Sequence, residues 1–256
     1  MEVKIDFTLS AQQNADLYYK KAKKLLIKKN GAKDAIEELN KRLNEIKKHS
    51  VEETHKVKVT TNKEWFEKFH WFFTSDGLLV ISGSDAHQNE LINSRYFEDQ
   101  DLFFHADIFG ASATLLKNGA NATLSSKEEA AQFAGCFSSA WGRMLSTIDV
   151  YALRRDQVSK STNKGSLGTG SFLLKGEREW FKGVSLELSM FLEKGKLIVM
   201  PQLAFSRIGY KGIFVNIKEG NMKKSDAAKT IAKILGYDDI DEIMRALPAG
   251  GFYVNV

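Results

Sequence analysis

The sequence has little cysteine and no long hydrophobic run. Its 256 residues include one cysteine, Cys136, which excludes an internal disulfide and a cage of thiolate metal ligands and favours a buried apolar role. No apolar run reaches the length of about 18 residues that a transmembrane helix needs. The segment from Met1 to Asp6 lacks the basic and apolar regions of a signal peptide. The sequence therefore predicts a cytoplasmic protein without a membrane partner.

The sequence also lacks the standard catalytic signatures. It has no Walker A lysine loop, no HExxH, no GxSxG and no paired-cysteine motif, so it predicts no catalytic residue, cofactor or metal, and no enzyme. Glycine-rich residues 165–170 do not lead from a strand into a helix, which favours a flexible loop. A metal site formed by His70, His87 and His105 is an alternative, but their spacings match no common ligand pattern.

The positive charge is concentrated at the N-terminal end. Residues 1–60 contain 14 Lys/Arg and 9 Asp/Glu, a net charge of +5, whereas residues 61–256 contain 23 of each. A polyanion such as RNA is the simplest partner for a segment of this kind. The alternative is a solvated, lysine-rich helix surface with no partner.

This basic segment has the pattern of two helices. Apolar residues recur at helical spacing over 8–29 and again over 32–48, and Ser10 or Thr8 can cap the first helix. Asn30-Gly31 between them has the residue types of a helix end and turn. The apolar positions are Ala11, Ala15, Tyr18, Ala22 and Leu25 in the first helix and Ile36, Leu39, Leu43 and Ile46 in the second. The sequence predicts an antiparallel helical hairpin, or coiled coil.

The remainder of the chain mixes strands and helices without a strict βαβ alternation, which predicts an α+β body. Asp76-Gly77, between an aromatic run and Leu78 to Ile81, is typical of a β-hairpin. Ser84 or Asp85 is expected to cap a helix that ends at Tyr96. Further strands are predicted at 57–59, 102–106, 114–117, 147–152, 171–175, 186–191, 197–200 and 214–218. Further helices are predicted from 125 or 126 to about 141, at 225–235 and at 240–246.

Three polar strings are candidate contact sites. The string from Asp85 to Glu90 opens a helix whose N-terminal amides attract phosphate, although it can also be a capping turn. His105 and Asp107 are two apart on a strand and share a face, as a structural pair or as a general base. Residues 154–161 combine Arg154, Arg155 and Lys160 with hydroxyls, which suits phosphate contact, or else form a solvated turn.

These strings occur in an order that resembles a known domain. The segments 65–72, 83–90, 105–111 and 157–160 together resemble the NFACT-R domain of the NEMF/RqcH (fibronectin-binding-protein-A-like) family of ribosome quality control factors. Residues 10–24 resemble the end of the coiled coil that precedes this domain, and the tail resembles that of archaeal members. The sequence departs from the family at Ser84, Phe109 and His87, where Arg, Pro and Gln are usual.

The resemblance implies a role in ribosome quality control. Members bind the large ribosomal subunit that carries a stalled nascent peptidyl-tRNA, recruit tRNA for tailing, and use the R domain to bind RNA. The N-terminal NFACT-N domain of full-length members has no counterpart in this sequence. We therefore expect a helical hairpin at 1–55, an NFACT-R core at 56–180 and a C-terminal extension packed on the core at 181–256.

The function predicted from the sequence is an RNA- and ribosome-binding component with rRNA or tRNA as ligand. The alternatives are a nucleic-acid- or nucleotide-processing enzyme that uses His105 and Asp107, and a scaffold that binds a separate NFACT-N protein. The candidate RNA-binding residues are Lys20, Lys21, Lys24, Lys28, Asp85, Gln88, Asn89, Arg95, His105, Asp107, Arg154, Arg155 and Lys160.

Overall fold

The N-terminal segment forms one long helix. In the computed structural model, which describes residues 5–50, 64–162 and 165–255, helix α1 runs over Ala11–Ser50 without a break. Ser10 and Gln13 cap this helix reciprocally. The backbone N–H of Gln13 donates to Ser10 Oγ at 3.2 Å, and the backbone N–H of Ser10 donates to Gln13 Oε1 at 2.8 Å. The predicted cap at Ser10 is confirmed.

The predicted hairpin is wrong, because Asn30-Gly31 lies inside α1. The two apolar stripes continue one another, since Leu25, Lys29, Ala32 and Ile36 keep alternating spacings of four and three. Gly31 is absent from the glycines with positive φ, so it does not adopt the left-handed conformation of a helix end. A glycine inside a helix costs only about 1 kcal/mol relative to alanine, too little to stop a long helix.

The chain divides into two units, Met1–Thr61 and Asn62–Val256. The second unit contains a six-stranded antiparallel sheet in the order β1-β2-β4-β3-β5-β10 and a four-stranded antiparallel sheet in the order β12-β11-β13-β14. The strands of the first sheet are β1 His70–Phe73, β2 Leu79–Ser82, β3 Leu102–Ala106, β4 Thr114–Leu116, β5 Thr147–Leu153 and β10 Glu179–Ser185. Two short pairs join β6 Val158–Ser159 to β9 Leu173–Leu174 and β7 Ser161–Thr162 to β8 Gly165–Ser166. The second sheet consists of β11 Glu187–Glu193, β12 Lys196–Pro201, β13 Phe214–Met222 and β14 Phe252–Asn255. These sheets and their helices confirm the α+β class.

Helix α3, Leu124–Cys136, contributes to the main core together with residues of both sheets. Its sequence is rich in small residues, and nearly every residue from Glu129 to Cys136 is buried. Gly135 lets α3 lie close to Ile148 and Leu186, because a Cβ there would be 3.1 Å from side-chain atoms of both residues. A helix covered on most sides in this way belongs in the centre of a domain.

Helix α2 Ala86–Leu91 continues into a π-helical turn over Ile92–Tyr96 and packs against a second, smaller core. Helices α4 Ser139–Gly142, α5 Gln202–Ile208, α6 Lys224–Leu235 and α7 Ile240–Ala246 contribute residues to the main core. The smaller apolar core covers the opposite face of the six-stranded sheet and includes Phe66, Ile92, Phe103, Leu115 and Leu153.

Most predicted elements of the body are present, including the hairpin at Asp76-Gly77 and the cap at Asp85. The helix predicted to start at Ser125 or Ser126 is instead capped by Thr123 and ends at Cys136. Strand β9 is shorter than predicted, and the strand predicted at 57–59 lies outside the described residues. The elements that were not predicted include β10, α5 and β14 and the short strands β6, β7 and β8.

Candidate functional site

Three ring-bearing side chains form a row across neighbouring strands of the six-stranded sheet. His105 on β3 lies opposite Tyr151 on β5, and Tyr151 lies opposite Trp180 on β10. Residues that face each other across paired strands lie on the same side of a sheet. The Tyr151 hydroxyl is 3.2 Å from His105 Nδ1, and the Tyr151 and Trp180 ring centroids are 5.2 Å apart with an angle of 66° between the rings.

The row lies where the smaller core gives way to solvent. Phe103, next to His105 on the same face, is fully buried, and Tyr151 is only 4% exposed. Trp180 retains 39% of its surface because β10 is the edge strand of the sheet. The exposed part of the row is therefore the indole of Trp180, supported from behind by Tyr151.

Two cations lie over these rings. The Arg178 guanidinium is 4.3 Å from the Tyr151 centroid and 5.7 Å from that of Trp180, and Lys182 Nζ is 3.8 Å from the Trp180 centroid. Cations at such distances are attracted by the negative faces of aromatic rings. Asp149 accepts hydrogen bonds from Lys182 Nζ at 2.8 Å and from the Gly183 amide at 2.9 Å. We call Arg178, Trp180 and Lys182, with Tyr151 and His105 behind them, the aromatic-cationic row.

Burial sets the charge of the ring-bearing residues. Removal from solvent lowers the pKa of His105 below its usual value, against the opposing effects of the Ala106 backbone and of Asp107. Burial also raises the pKa of the Tyr151 hydroxyl. Both groups are neutral near pH 7, so the positive charge of the aromatic-cationic row comes from Arg178 and Lys182.

The enzyme alternative depended on His105 and Asp107 acting together. The structure gives His105 a hydrogen-bond partner in Tyr151, and the exposed Asp107 acts on His105 only through its charge. The Asp107 amide donates to the Asp149 carbonyl at 2.8 Å, which fixes the start of the following loop. This arrangement supports a structural pair more than a general base.

The polar string that opens α2 is used within the protein. Asp85 Oδ1 accepts the Gln88 amide at 2.8 Å, Gln88 Nε2 donates to the Lys68 carbonyl at 3.1 Å, and Asn89 Oδ1 accepts the Ala113 amide at 3.0 Å. Gly83 packs directly against Asn89, since a Cβ at Gly83 would lie 2.3 Å from Asn89 Oδ1. These side chains join the helix to adjacent loops.

The basic string after β5 is divided between structural and exposed residues. Lys160 Nζ binds the Glu90 carboxylate and the carbonyls of Gly168 and Ser171, at 2.7 and 3.3 Å. Arg155 Nη1 donates to the Val158 carbonyl at 3.1 Å and lies 5.1 Å from the Phe97 ring centroid. Arg154 is exposed, as is Arg95 at the end of the π-helical turn.

Of the residues predicted from the sequence, only His105 belongs to the aromatic-cationic row. Lys20, Lys21, Lys24 and Lys28 are exposed on α1, in the other unit. The residues predicted from the sequence did not include Tyr151, Arg178, Trp180 and Lys182. A signal was available, because a cation, an indole and a cation at 178, 180 and 182 follow the period of two that places side chains on one face of a strand.

The described part of the chain contains neither a metal-binding cluster nor a membrane-spanning helix. Among residues 5–50, 64–162 and 165–255, no group of three or more His, Cys, Asp or Glu side chains is placed to hold a metal ion. Within the same ranges, no helix has the length and apolar character needed to cross a bilayer.

Comparison with known proteins identifies related sequences. Residues 68–176 match the family described as NFACT protein RNA binding domain. The archaeal Rqc2 homolog aRqcH of Methanocaldococcus jannaschii is 35% identical over 205 residues, covering 77% of this chain and 30% of that protein. The ribosome quality control complex subunit NEMF homolog of Drosophila melanogaster is 35% identical over 196 residues, covering 74% of this chain and 20% of that protein.

Among solved structures, the C-terminal part of the fibronectin/fibrinogen-binding protein from Streptococcus suis aligns with a TM-score of 0.40 and 20% identity, covering 69% of this chain and 77% of that chain. The chain spans 30% and 20% of the lengths of its archaeal and fly relatives. The sequence matches confirm the resemblance drawn from the ordered motifs. The chain belongs to the NEMF/RqcH family and carries that family's NFACT-type RNA-binding domain at residues 68–176.

Proposed function

We propose that this chain is an RNA- and ribosome-binding component of ribosome-associated quality control in the cytoplasm. It would bind the large ribosomal subunit that carries a stalled peptidyl-tRNA, with rRNA or tRNA as the ligand. The observation that carries the proposal is the match of residues 68–176 to an RNA-binding domain family, together with relatives named as ribosome quality control subunits. The aromatic-cationic row is consistent with it, because cations beside exposed aromatics are common in nucleic-acid sites.

We propose a division of labour among the candidate residues. Exposed cations would contact phosphate, whereas Asp85, Gln88, Asn89 and Lys160 would position the loops around them, because their side chains are engaged within the protein. His105 and Asp107 would shape the sheet face. The proposed phosphate contacts are Lys20, Lys21, Lys24, Lys28, Arg95 and Arg154, whereas Arg155, which is half-buried and donates to the Val158 carbonyl, would also position its loop.

The domain organisation is part of the same proposal. We propose that residues 1–55 act as the basic arm, 56–180 as the NFACT-R core and 181–256 as an extension of the core. In this scheme β10 crosses the border at residue 180, so the extension contributes Lys182 to the aromatic-cationic row.

A binding role is proposed in preference to catalysis, because His105 pairs with a neutral Tyr151 rather than with a carboxylate. The test is fluorescence anisotropy with labelled tRNA and rRNA fragments over a range of salt concentrations, with co-sedimentation of the chain with purified large ribosomal subunits. The proposal expects binding whose logarithm falls linearly with the logarithm of salt concentration. Failure to bind either RNA or subunits at low salt would contradict it.

A second candidate role is supported by the apolar face of α1. Leu25, Ile36 and Leu39 are each 58–60% exposed and fall in one continuous heptad frame, which is typical of a helix that pairs with another helix. We propose that this face binds a helix of an NFACT-N-containing protein. Co-purification with such a protein, and its loss in an Ile36→Glu, Leu39→Glu variant, would test this role independently of RNA.

A further inference from the structure

The aromatic-cationic row has the parts of a receptor for one flat, anionic ligand. The main features outside it are engaged or give no indication of an occupant. Lys160 and Glu90 bind each other and the glycine-rich loop, and the groove lined by Trp71, Phe73 and Met200 has nothing that identifies what would fill it. The row differs because it combines an exposed aromatic surface with two cationic side chains over the rings.

We propose that the aromatic-cationic row binds an unpaired RNA base, with the base stacked on Trp180 and the flanking phosphates held by Arg178 and Lys182. This inference rests on the proposed RNA-binding function and specifies the class of RNA: single-stranded nucleotides in preference to duplex.

The three side chains are spaced so that one base can lie between two cations. Arg178, Trp180 and Lys182 occupy alternate positions along one edge of the sheet, so neighbouring members are about 7 Å apart along the chain. A base on the indole therefore has a cation on each side, on the path that the nucleic-acid backbone would follow. The guanidinium of Arg178 is planar and already stacks on Tyr151 at 4.3 Å, and bases stack on guanidinium planes as well as on aromatic rings.

The ion pair between Lys182 and Asp149 is weak enough to be exchanged for a phosphate contact. The Lys182 and Asp149 side chains are 63% and 39% exposed, and an ion pair so open to water is weak. Lys182 can therefore leave the indole face and pair with a phosphate, while Asp149 keeps its hydrogen bond to the Gly183 amide. Tyr151, which is nearly covered, holds the Trp180 ring edge in place during this exchange.

The row is expected to prefer single-stranded RNA to duplex RNA. Within a duplex both faces of every base are already stacked, so a duplex can offer phosphates and ribose hydroxyls but no open ring face. The body as a whole is electrically neutral, with 23 cationic and 23 acidic residues over 61–256, which gives little general attraction for a duplex backbone. Stacking of a base on Trp180 is therefore what would make the contact specific for unpaired RNA.

The experiment measures anisotropy of the full chain with three labelled ligands of equal length: an oligouridine, a duplex RNA, and an abasic oligonucleotide that retains the phosphates. Expected results are tighter binding of oligouridine than of the abasic strand, a loss of about tenfold for oligouridine in Trp180→Ala, partial recovery in Trp180→Phe, and little change for duplex. Trp65→Ala is the matched control. Trp65 is 44% exposed, but its ring already stacks on Tyr96 at 4.7 Å, so we expect unchanged binding.

Failure of this inference can be separated from failure of the proposed function. If the native chain binds RNA but Trp180→Ala binds every ligand as before, or if the abasic strand binds as well as oligouridine, the row is not a base receptor and the general RNA-binding role survives. The first of these results would also be expected if the row contacted a protein. If the native chain binds no RNA at low salt, both proposals are overturned.

Discussion

Lys160 and Glu90 form an ion pair that holds the glycine-rich loop against the end of helix α2. Lys160 Nζ also binds the carbonyl oxygens of Gly168 and Ser171, and the Glu90 carboxylate accepts the Gly170 amide at 3.1 Å. The sequence around Lys160 indicates phosphate contact, but its ammonium group is hydrogen-bonded within the protein. The loop owes its position to these contacts together with the short pairing of β8 with β7.

Replacing Lys160 with Met tests this structural role. We expect a loss of about 1–2 kcal/mol in the free energy of unfolding, because Glu90 and two carbonyls lose a charged donor. Hydrogen exchange should rise at residues 165–171. The control is Lys175→Met, which removes one exposed positive charge from the same region and should leave exchange unchanged. If Lys160→Met reduces RNA affinity strongly without altering exchange in the loop, Lys160 contacts phosphate directly.

A Gly31→Ala substitution distinguishes one continuous helix from a hairpin. Gly31 lies within α1, and a Cβ there would meet nothing within 4 Å, so alanine should stabilise the helix by about 0.5–1 kcal/mol. Hydrogen exchange over residues 20–40 should slow. If Gly31 were a turn glycine with positive φ, its replacement by alanine would destabilise the protein instead.

Gly77→Ala is the matched control for that experiment. Gly77 also has open space around its Cβ position, but its φ is +79° in the turn between β1 and β2, so alanine there should destabilise the protein. If Gly31→Ala lowers helicity as Gly77→Ala lowers stability, the chain turns at residue 31.

The error at Asn30-Gly31 shows the limit of reading residue types alone. Both residues favour helix ends, and the apolar stripe is weak there because Lys29 occupies a core position of the heptad frame. Following the frame across the break would have predicted one helix, because Leu25 and Ile36 are in phase. Register over a long segment carries more information than one dipeptide.

In the body, the buried strands were predictable and the exposed edge strand β10 was not. Residues of β3 and β5 alternate between two cores, which leaves a clear apolar pattern, whereas β10 contains Glu179, Lys182 and Gly183 and is largely exposed. The aromatic-cationic row was missed for the same reason. It depends on pairing between strands distant in sequence, and only the segment from Arg178, just before β10, to Lys182 has a local signal.

His70 should make the stability of the protein depend on pH. It stacks on Phe137 at 4.1 Å, and burial together with nearby Lys224 lowers its pKa from 6.5 to about 4. The unfolded chain therefore binds a proton more readily than the folded one. The contribution of His70 is complete above pH 6.5 and is lost as the pH falls from 6.5 to about 4, by up to about 3 kcal/mol.

Urea unfolding at a series of pH values measures this dependence. In His70→Gln the decline in stability between pH 6.5 and 4 should become shallower, and the remaining decline should include His105, whose pKa burial also lowers. The control is His87→Gln, because His87 is exposed on α2 and should leave the profile unchanged. A native profile that is flat from pH 6.5 to 4 would contradict the burial of a neutral His70.

The lysines of α1 lie along one continuous helix, which changes how they face a polyanion. Lys20, Lys24 and Lys28 are spaced by four residues and lie on one face of a continuous helix, with Lys21 beside them. A polyanion would meet a stripe of charge rather than the tip of a hairpin. Each phosphate contact removed should lower the slope of log affinity against log salt by about 0.7–0.9.

Changing these four lysines to Gln keeps helix propensity while removing the charge. We expect weaker binding to every RNA, duplex or single-stranded, and a slope smaller by up to about 3.6. The matched variant changes Lys211, Lys223, Lys229 and Lys233 of the other unit to Gln, removing the same charge from exposed positions outside the proposed site. Equal losses in the two variants would mean that RNA responds only to net charge, whereas a larger loss in the α1 variant would identify the helix as the contact surface.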